Sequence, residues 1–213
     1  MVQKTSTRPR GRPRAFAPEA AIGQALETFW TAGFEGTSLD DLSAATGMNR
    51  PSLYGAFGDK RALFLKSLEA YRARTKGIAE AVAAEGGPLR ARLRHAYRAA
   101  LDIYFEGDVP RGCFLTGAAA VSAVEDPDIA AAVRVAIEEI DEGFAGIFQR
   151  ARRTGEIPAT ADPLALGRLA ASLVHSLSMR ARIGTARAEL DRLADDAITL
   201  LTGGAAVPDR TPE

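Results

Sequence analysis

The sequence has only one cysteine and two histidines in 213 residues, and it has no long apolar run. Because Cys113 is the only cysteine, the chain has no internal disulfide. The longest uncharged stretch, residues 112–124, is too short to cross a bilayer as a helix. Glu19 and Glu27 interrupt the region where a secretory signal would be apolar. The soft metal ligands are too widely spaced for a metal site; they are His95, Cys113, His175 and Met179. These absences predict a cytoplasmic protein without a membrane span, metal or cofactor.

The sequence also lacks net charge, with 27 basic and 27 acidic residues, which by itself does not suggest a nucleic-acid ligand. The charge is unevenly distributed, however, because residues 1–14 contain no acid. The cations of this segment are Lys4, Arg8, Arg10, Arg12 and Arg14. The rest of the chain is therefore net negative, and the N-terminal end is the part suited to a polyanion.

Catalytic motifs are missing as well. The sequence has no phosphate-binding loop, no nucleophile motif and no histidine paired with a carboxylate at catalytic spacing, so an enzyme is not expected. A DNA-recombining enzyme would need a catalytic domain, which the alanine- and leucine-rich second half does not suggest. A DNA-binding or architectural protein that senses no ligand remains an alternative.

Apolar residues recur at helical spacing along most of the chain, and no strand signal competes with them. A first helix is predicted from Pro18 to Gly33, a short second helix ends at Gly47, and Asn49 can cap a third helix with Pro51 in its first turn. A longer fourth helix follows. Further apolar stripes occupy residues 89–104, 129–148, 166–177 and 190–201. The fold class is therefore predicted to be all-α.

Residues 37–64 have the features of a helix-turn-helix. Such a motif needs a small residue where its helices touch, a glycine in the turn and apolar residues that fix the second helix, and Ser43, Gly47 and Leu53 meet these needs. The segment, TSLDDLSAATGMNRPSLYGAFGDKRALF, closely resembles the DNA-binding domain of the TetR/AcrR family of transcriptional regulators. The hallmark residues are Leu53, Tyr54, Phe57, Lys60, Leu63 and Phe64.

Composition and apolar pattern divide the chain into four segments, and the resemblance implies the roles of the two domains. Residues 1–15 would be a flexible basic arm, and residues 16–65 would be a three-helix, helix-turn-helix domain with a linking helix to about residue 76. Residues 77–203 would form a helical ligand-binding and dimerisation domain, followed by a loose tail at 204–213. The implied function is sequence-specific regulation of transcription, by a repressor that a small-molecule inducer releases from its operator.

The third helix would enter the major groove of double-stranded DNA. Arg50 is the best candidate for reading a base, because a guanidinium can donate two hydrogen bonds to guanine, and Pro51 can meet a thymine methyl group. Gly55 leaves room for close approach. The full predicted set is Thr37, Ser38, Asn49, Arg50, Pro51, Ser52, Tyr54, Gly55 and Lys60.

Phosphate contacts are expected beside these base contacts. Thr37 and Ser38 can offer hydroxyls and backbone amides at the positive end of the second helix, although both can equally be plain caps. The resemblance implies phosphate contacts for Tyr54 and Lys60. Packing of Tyr54 against the first helix is the alternative.

The arm contains the Arg-Gly-Arg-Pro core of an AT-hook-like sequence. An extended backbone would let its arginines follow a narrow minor groove; these are Arg8, Arg10, Arg12 and Arg14. A solubilising tail without fixed contacts is the alternative. The position directly before a helix-turn-helix favours contact with DNA.

A dimer is expected because one short recognition helix reads few bases, so specificity calls for two copies on a palindromic operator. The resemblance places the interface in residues 163–183 and 187–202, as a four-helix bundle with two helices from each subunit. The alternative is that both stripes are intrachain core.

The resemblance also implies a ligand cavity in the second domain. The candidate lining residues are Tyr97, Leu101, Tyr104, Cys113, Phe114, Phe144, Phe148, His175 and Met179. Each of them also has the spacing of a core residue, so simple packing is the alternative for every one. Cys113 follows Arg111 and Gly112 at the predicted start of a short helix, a setting that lowers the pKa of a thiol and favours a reactive cysteine. A packed, unreactive cysteine is the alternative.

Overall fold

The computed structural model describes residues 17–203, and all regular structure within them is helical. The all-α prediction is confirmed for this part of the chain. The predictions for the arm at residues 1–15, with Arg8, Arg10, Arg12 and Arg14, and for the tail at 204–213 lie outside the described residues. No helix within residues 17–203 is both long and apolar enough to cross a membrane.

Three helices form an N-terminal head: α1 (Pro18–Gly36), α2 (Leu39–Thr46) and α3 (Arg50–Phe57). Their ends are set by local chemistry. Gly33 has a φ of 75° and breaks the helical backbone of α1 where the apolar pattern ends, before one more turn to Gly36. Gly47, with a φ of 65°, ends α2.

Side-chain caps begin the second and third helices. The Ser38 hydroxyl accepts a hydrogen bond from the backbone N–H of Asp41 at 3.1 Å, and the Asp41 carboxylate accepts one from the Ser38 N–H at 2.8 Å. The side-chain oxygen of Asn49 accepts one from the Ser52 N–H at 2.9 Å. These caps fix the two helices of the helix-turn-helix in place.

The body of the molecule consists of longer helices. They are α4 (Lys60–Ala84), α5 (Leu89–Tyr104), a π-helical turn (Leu115–Ala119) that leads into the short α6 (Ala120–Ser122), α7 (Pro127–Arg153), α8 (Pro163–Arg182) and α9 (Arg187–Leu201). The helix α4 passes without a break through residues 76 and 77, where the sequence predicts the domain boundary. It therefore belongs to both parts of the molecule.

The closest helix packing in the body joins α7 and α8. A Cβ atom on Gly167 of α8 would lie 2.5 Å from the backbone nitrogen of Ala145 in α7, well inside the contact distance of real atoms. Glycine at this position is what lets the two backbones approach.

The head and the body share one continuous core. Phe114, which precedes the π-helical turn, lies 6.1 Å from Trp30 of α1 and 5.5 Å from Phe64 of α4, measured between ring centroids. Trp30 also meets Tyr71 of α4 edge to face at 5.0 Å. On the surface, Arg61 of α4 pairs with Asp126, the residue that caps α7. The head is thus fixed to the body by aromatic packing, and the ion pair joins the start of α4 to the start of α7.

Candidate DNA-binding surface and ligand cavity

The helix α3 is anchored on one side and open on the other. Leu53 and Phe57 are 2% and 6% exposed and hold the helix against the head. The opposite face is exposed to solvent and presents Asn49, Arg50, Pro51, Ser52, Tyr54 and Gly55. The Tyr54 side chain is not packed away against α1, because the residue is 48% exposed. Six of the predicted DNA contacts therefore lie together on one accessible surface.

Ser38 is also exposed, at the N-terminus of α2, where the free amides of the first turn give a helix its partial positive charge. Its hydroxyl and amide are held by Asp41, and these hydrogen bonds lower the pKa of the Asp41 carboxyl. Ser38 is therefore a cap in this geometry, and it lies where a phosphate can approach the helix end.

The structure corrects the role expected for the Thr37 hydroxyl. Thr37 is 1% exposed, and its hydroxyl donates a hydrogen bond to the carbonyl oxygen of Gly33 at 2.7 Å. The hydroxyl therefore stabilises the kinked end of α1 and is not accessible to a phosphate. The capping pattern in the sequence does not reveal this burial.

The Lys60 side chain binds the same end of α1. Its ammonium nitrogen donates hydrogen bonds to the carbonyl oxygens of Phe34 and Thr37, at 2.9 and 3.1 Å. It also lies 4.2 Å from the centroid of the Phe34 ring. An ammonium has three N–H donors, so a contact with phosphate would use the third.

A cavity of about 100 Å³ lies between α4, α5, α7 and α8 in the body. Most of its wall is aliphatic or aromatic, and its polar groups are the hydroxyls of Tyr71, Thr75 and Tyr104 and the thiol of Cys113. No Asp, Glu, Lys or Arg side chain lines the cavity among the described residues. Burial raises the pKa of Tyr71 and Tyr104 far above the usual range, so both phenols are neutral donors.

Three of the nine predicted lining residues face this cavity: Tyr104, Cys113 and Phe144. The others do not, and their prediction as lining residues is corrected. Tyr97, Leu101, Phe114 and Phe148 are buried in the core around it, and the Tyr97 hydroxyl donates to the carbonyl oxygen of Ala170. Met179 is 64% exposed on α8. His175 is half-buried, and desolvation lowers its pKa. Helical spacing places side chains on a face but does not locate a void.

The chemistry expected for Cys113 is also corrected. The thiol is 3% exposed, and burial raises its pKa above the ordinary value, although a hydrogen bond from the Tyr71 hydroxyl at 3.1 Å acts in the opposite direction. The Cys113 N–H donates to the Ser178 hydroxyl at 2.7 Å. Cys113 is therefore a protonated, packed cavity residue.

Sequence reasoning missed Asp40, which pairs with Arg50, and most of the residues that line the cavity. Among the missed lining residues are Tyr71 and Thr75, the polar side chains of the α4 wall. The apolar stripe of α4 indicates that Tyr71 is buried. Nothing in its spacing indicates that a cavity lies beside it.

Two family models match the chain. The model described as bacterial regulatory proteins, tetR family, matches residues 21–66, and the model described as tetracyclin repressor-like, C-terminal domain, matches residues 90–196. The HTH-type transcriptional repressor ComR of Escherichia coli (strain K12) is 29% identical over 192 residues, which are 90% of this chain and 91% of that protein. The HTH-type transcriptional repressor BdcR of the same strain is 46% identical over 71 residues, 33% of this chain and 36% of its own.

Solved structures give the same relationship. The TetR family transcriptional regulator CifR, as a cysteine mutant complexed with 26 bp double-strand operator DNA, superposes with a TM-score of 0.80. It is 28% identical, and the match covers 88% of this chain and 98% of CifR. The reduced form of Escherichia coli NemR has a TM-score of 0.75 at 18% identity, over 90% of this chain and 97% of NemR, and shares the fold.

Proposed function

The chain belongs to the TetR family of bacterial regulatory proteins and is a DNA-binding regulator of transcription, and we propose that it acts as a homodimeric repressor released by an uncharged small molecule. The exposed face of α3 is the observation that carries the proposal, because Leu53 and Phe57 fix the helix while its polar side is free to enter a major groove. CifR, which has the same fold, is complexed with operator DNA. A cytoplasmic location follows from this function.

The proposed contacts with DNA are of three kinds. Arg50, Pro51 and Ser52 at the start of α3 face the bases, with Asn49 and Gly55 beside them. The amide end of α2 at Ser38 and the Tyr54 and Lys60 side chains face phosphates. The arginines of the N-terminal arm add minor-groove contacts outside the head.

The proposed dimer is supported by apolar side chains that are exposed to solvent in the monomer. Leu169 on α8 is 62% exposed, Ile183 directly after the end of α8 is 76% exposed, and Leu200 on α9 is 65% exposed. Large apolar side chains exposed along this pair of helices are what a subunit interface would cover. The two helices α8 and α9 would pair with those of a second copy and place two recognition helices on one palindrome.

The cavity determines the chemistry of the inducer. Its wall is apolar apart from neutral hydroxyls and one thiol, so burying a charged ligand there would leave the charge without a partner. We therefore infer a small, uncharged and mainly apolar inducer with one or two hydrogen-bonding groups. Its binding would shift the head through α4, which forms one wall of the cavity and begins inside the head.

Selection of bound DNA from a random pool tests the proposal. We expect enrichment of one palindrome whose half-sites are about one helical turn apart. Deletion of residues 1–14 should weaken binding to it and reduce the dependence of affinity on salt concentration. If no sequence is enriched, the chain is not a sequence-specific regulator, and an unchanged salt dependence would exclude the arm.

A ligand screen by thermal shift tests the sensing function and separates it from a ligand-blind DNA-binding protein. Neutral apolar compounds should raise the melting temperature and release the selected DNA. The variant Ala100→Leu, which fills the cavity, should bind DNA but lose both responses. A ligand that stabilises this variant as much as the natural chain binds elsewhere.

A further inference from the structure

The side chain of Arg50 is held in one orientation by an acid on a neighbouring helix. Its Nε donates to one carboxylate oxygen of Asp40 at 2.9 Å, and its Nη2 donates to the other at 2.6 Å. Asp40 lies in the first turn of α2 and Arg50 begins α3, so the pair bridges the two helices of the helix-turn-helix. The pair lies at the surface, with side chains 54% and 73% exposed for Arg50 and Asp40.

The geometry leaves the other edge of the guanidinium free. A guanidinium has five N–H groups, and Asp40 takes the one on Nε and one on Nη2. The second Nη2 hydrogen and both Nη1 hydrogens remain, and Nη1 has no hydrogen-bond partner within residues 17–203. One N–H on Nη1 and one on Nη2 together form a pair of parallel donors, which matches the acceptors O6 and N7 of guanine.

We propose that Asp40 is a positioning residue for base reading. It binds the Nε–Nη2 edge of the Arg50 guanidinium, which leaves the Nη1–Nη2 edge oriented to recognise a guanine. This inference rests on the proposed function, because it needs α3 in a major groove. An unpaired arginine has many rotamers to lose when it binds, whereas the bidentate pair has already fixed the plane of the guanidinium.

The same carboxylate has an opposite effect on general DNA binding. A negative charge close to the DNA surface opposes the phosphates whatever the base sequence. Asp40 therefore weakens binding to all DNA while it sharpens the choice of base, which is a way to gain specificity without gaining affinity. A carboxylate that only kept Arg50 away from DNA would weaken both binding and discrimination. The two roles therefore predict opposite effects of Asp40 on discrimination between bases.

The experiment compares binding of the selected operator with binding of an operator in which the G·C pair facing Arg50 is replaced in both half-sites. Arg50→Ala identifies that pair, since it should lose about 5- to 150-fold discrimination there. Asp40→Asn should lose discrimination at the same pair by up to about fivefold, the range of an exposed ion pair, and should bind unrelated DNA at least as tightly as the natural chain. In the Arg50→Ala background, Asp40→Asn should change discrimination no further.

Glu19→Gln is the matched control. Glu19 is exposed in the first turn of α1, so this variant removes one negative charge from the head without touching Arg50. It should leave discrimination unchanged. The proposal is overturned if Asp40→Asn discriminates as well as the natural chain or better, with circular dichroism showing that it is folded. If the natural chain selects no operator at all, the proposed function fails instead, so the two failures are distinguishable.

Discussion

The guanidinium of Arg111 lies over the indole ring of Trp30, with its central carbon 4.5 Å from the ring centroid, and it also pairs with Glu27. Both partners are on α1 of the head, whereas Arg111 precedes Cys113 in the cavity wall by two residues. The segment between α5 and the π-helical turn thus connects the cavity to the head directly. Under the proposed sensing function, this contact would be a second route, besides α4, from the cavity to α1.

Loss of this contact should lower stability. Arg111→Ala removes the stacked cation and is expected to reduce the free energy of unfolding by about 0.5–2 kcal/mol. Arg111→Lys keeps the charge near Glu27 but loses the planar group over the ring, so its effect should be smaller but measurable. Urea unfolding of the three proteins checks this. Equal stability of Arg111→Ala and the natural chain would show that the stack contributes nothing.

The buried thiol of Cys113 should react slowly. Burial raises its pKa, so at neutral pH the native protein holds less thiolate than a free cysteine does, and the wall around the sulfur hinders access. Alkylation by iodoacetamide, followed by mass spectrometry across a pH series, should accelerate only at a higher pH than for the urea-unfolded chain. Equal profiles for the folded and unfolded chains would contradict this assignment.

Replacing the thiol gives a second test of Cys113. Cys113→Ser keeps a hydrogen-bond acceptor for Tyr71, and operator binding and its release by the inducer should persist. Loss of release in this variant, with DNA binding intact, would mean that the thiol itself senses the ligand.

The ion pair between Arg61 and Asp126 should make the free energy of unfolding depend on pH in the acid range. Arg61 lowers the pKa of Asp126 to about 2, below the value near 4 of an unfolded chain. The pair therefore stabilises the folded state fully above about pH 4, and this stabilisation is lost as the pH falls from about 4 through 2.

Two variants separate this pair from its surroundings. Asp126→Asn keeps an N-cap for α7 but removes the titrating group, so its free energy of unfolding should fall less between pH 4 and 2 than that of the natural chain. Arg61→Gln is the companion variant, because it removes the cation that lowers the pKa of Asp126. Unfolding monitored over this pH range should give flatter curves for both variants than for the natural chain. A parallel curve for Asp126→Asn would refute the linkage.

A charge at the C-terminal end of α8 should prevent dimerisation. Ile183→Glu is expected to give a monomer in sedimentation equilibrium and to weaken operator binding, because an unpaired carboxylate would be buried between subunits. Val124→Glu is the matched control, since Val124 is 85% exposed outside α8 and α9 and should leave the dimer intact. A dimeric Ile183→Glu protein would place the interface elsewhere.

Local chemistry let the sequence determine the helices and the motif. Gly47 and the side-chain caps at Ser38 and Asn49 act on amides within three residues of themselves, and Leu53 and Phe57 follow the helical period. For this reason the all-α fold and the helix-turn-helix could be predicted closely. The resemblance supplied bounds for the last two apolar stripes that lie within one residue of the ends of α8 and α9. The family resemblance rests on the same local pattern.

Only the tertiary structure decided which side chains meet. Thr37 looks like a cap but is buried under the end of α1, and Met179 has core spacing but faces solvent. The setting of Cys113 suggests a low pKa, yet the helices packed around it raise that pKa by desolvation. Burial and the cavity depend on residues far apart in the chain, and the ion pair of Arg50 with Asp40 joins two successive helices. All three follow from how whole helices pack, which periodicity within one helix does not encode.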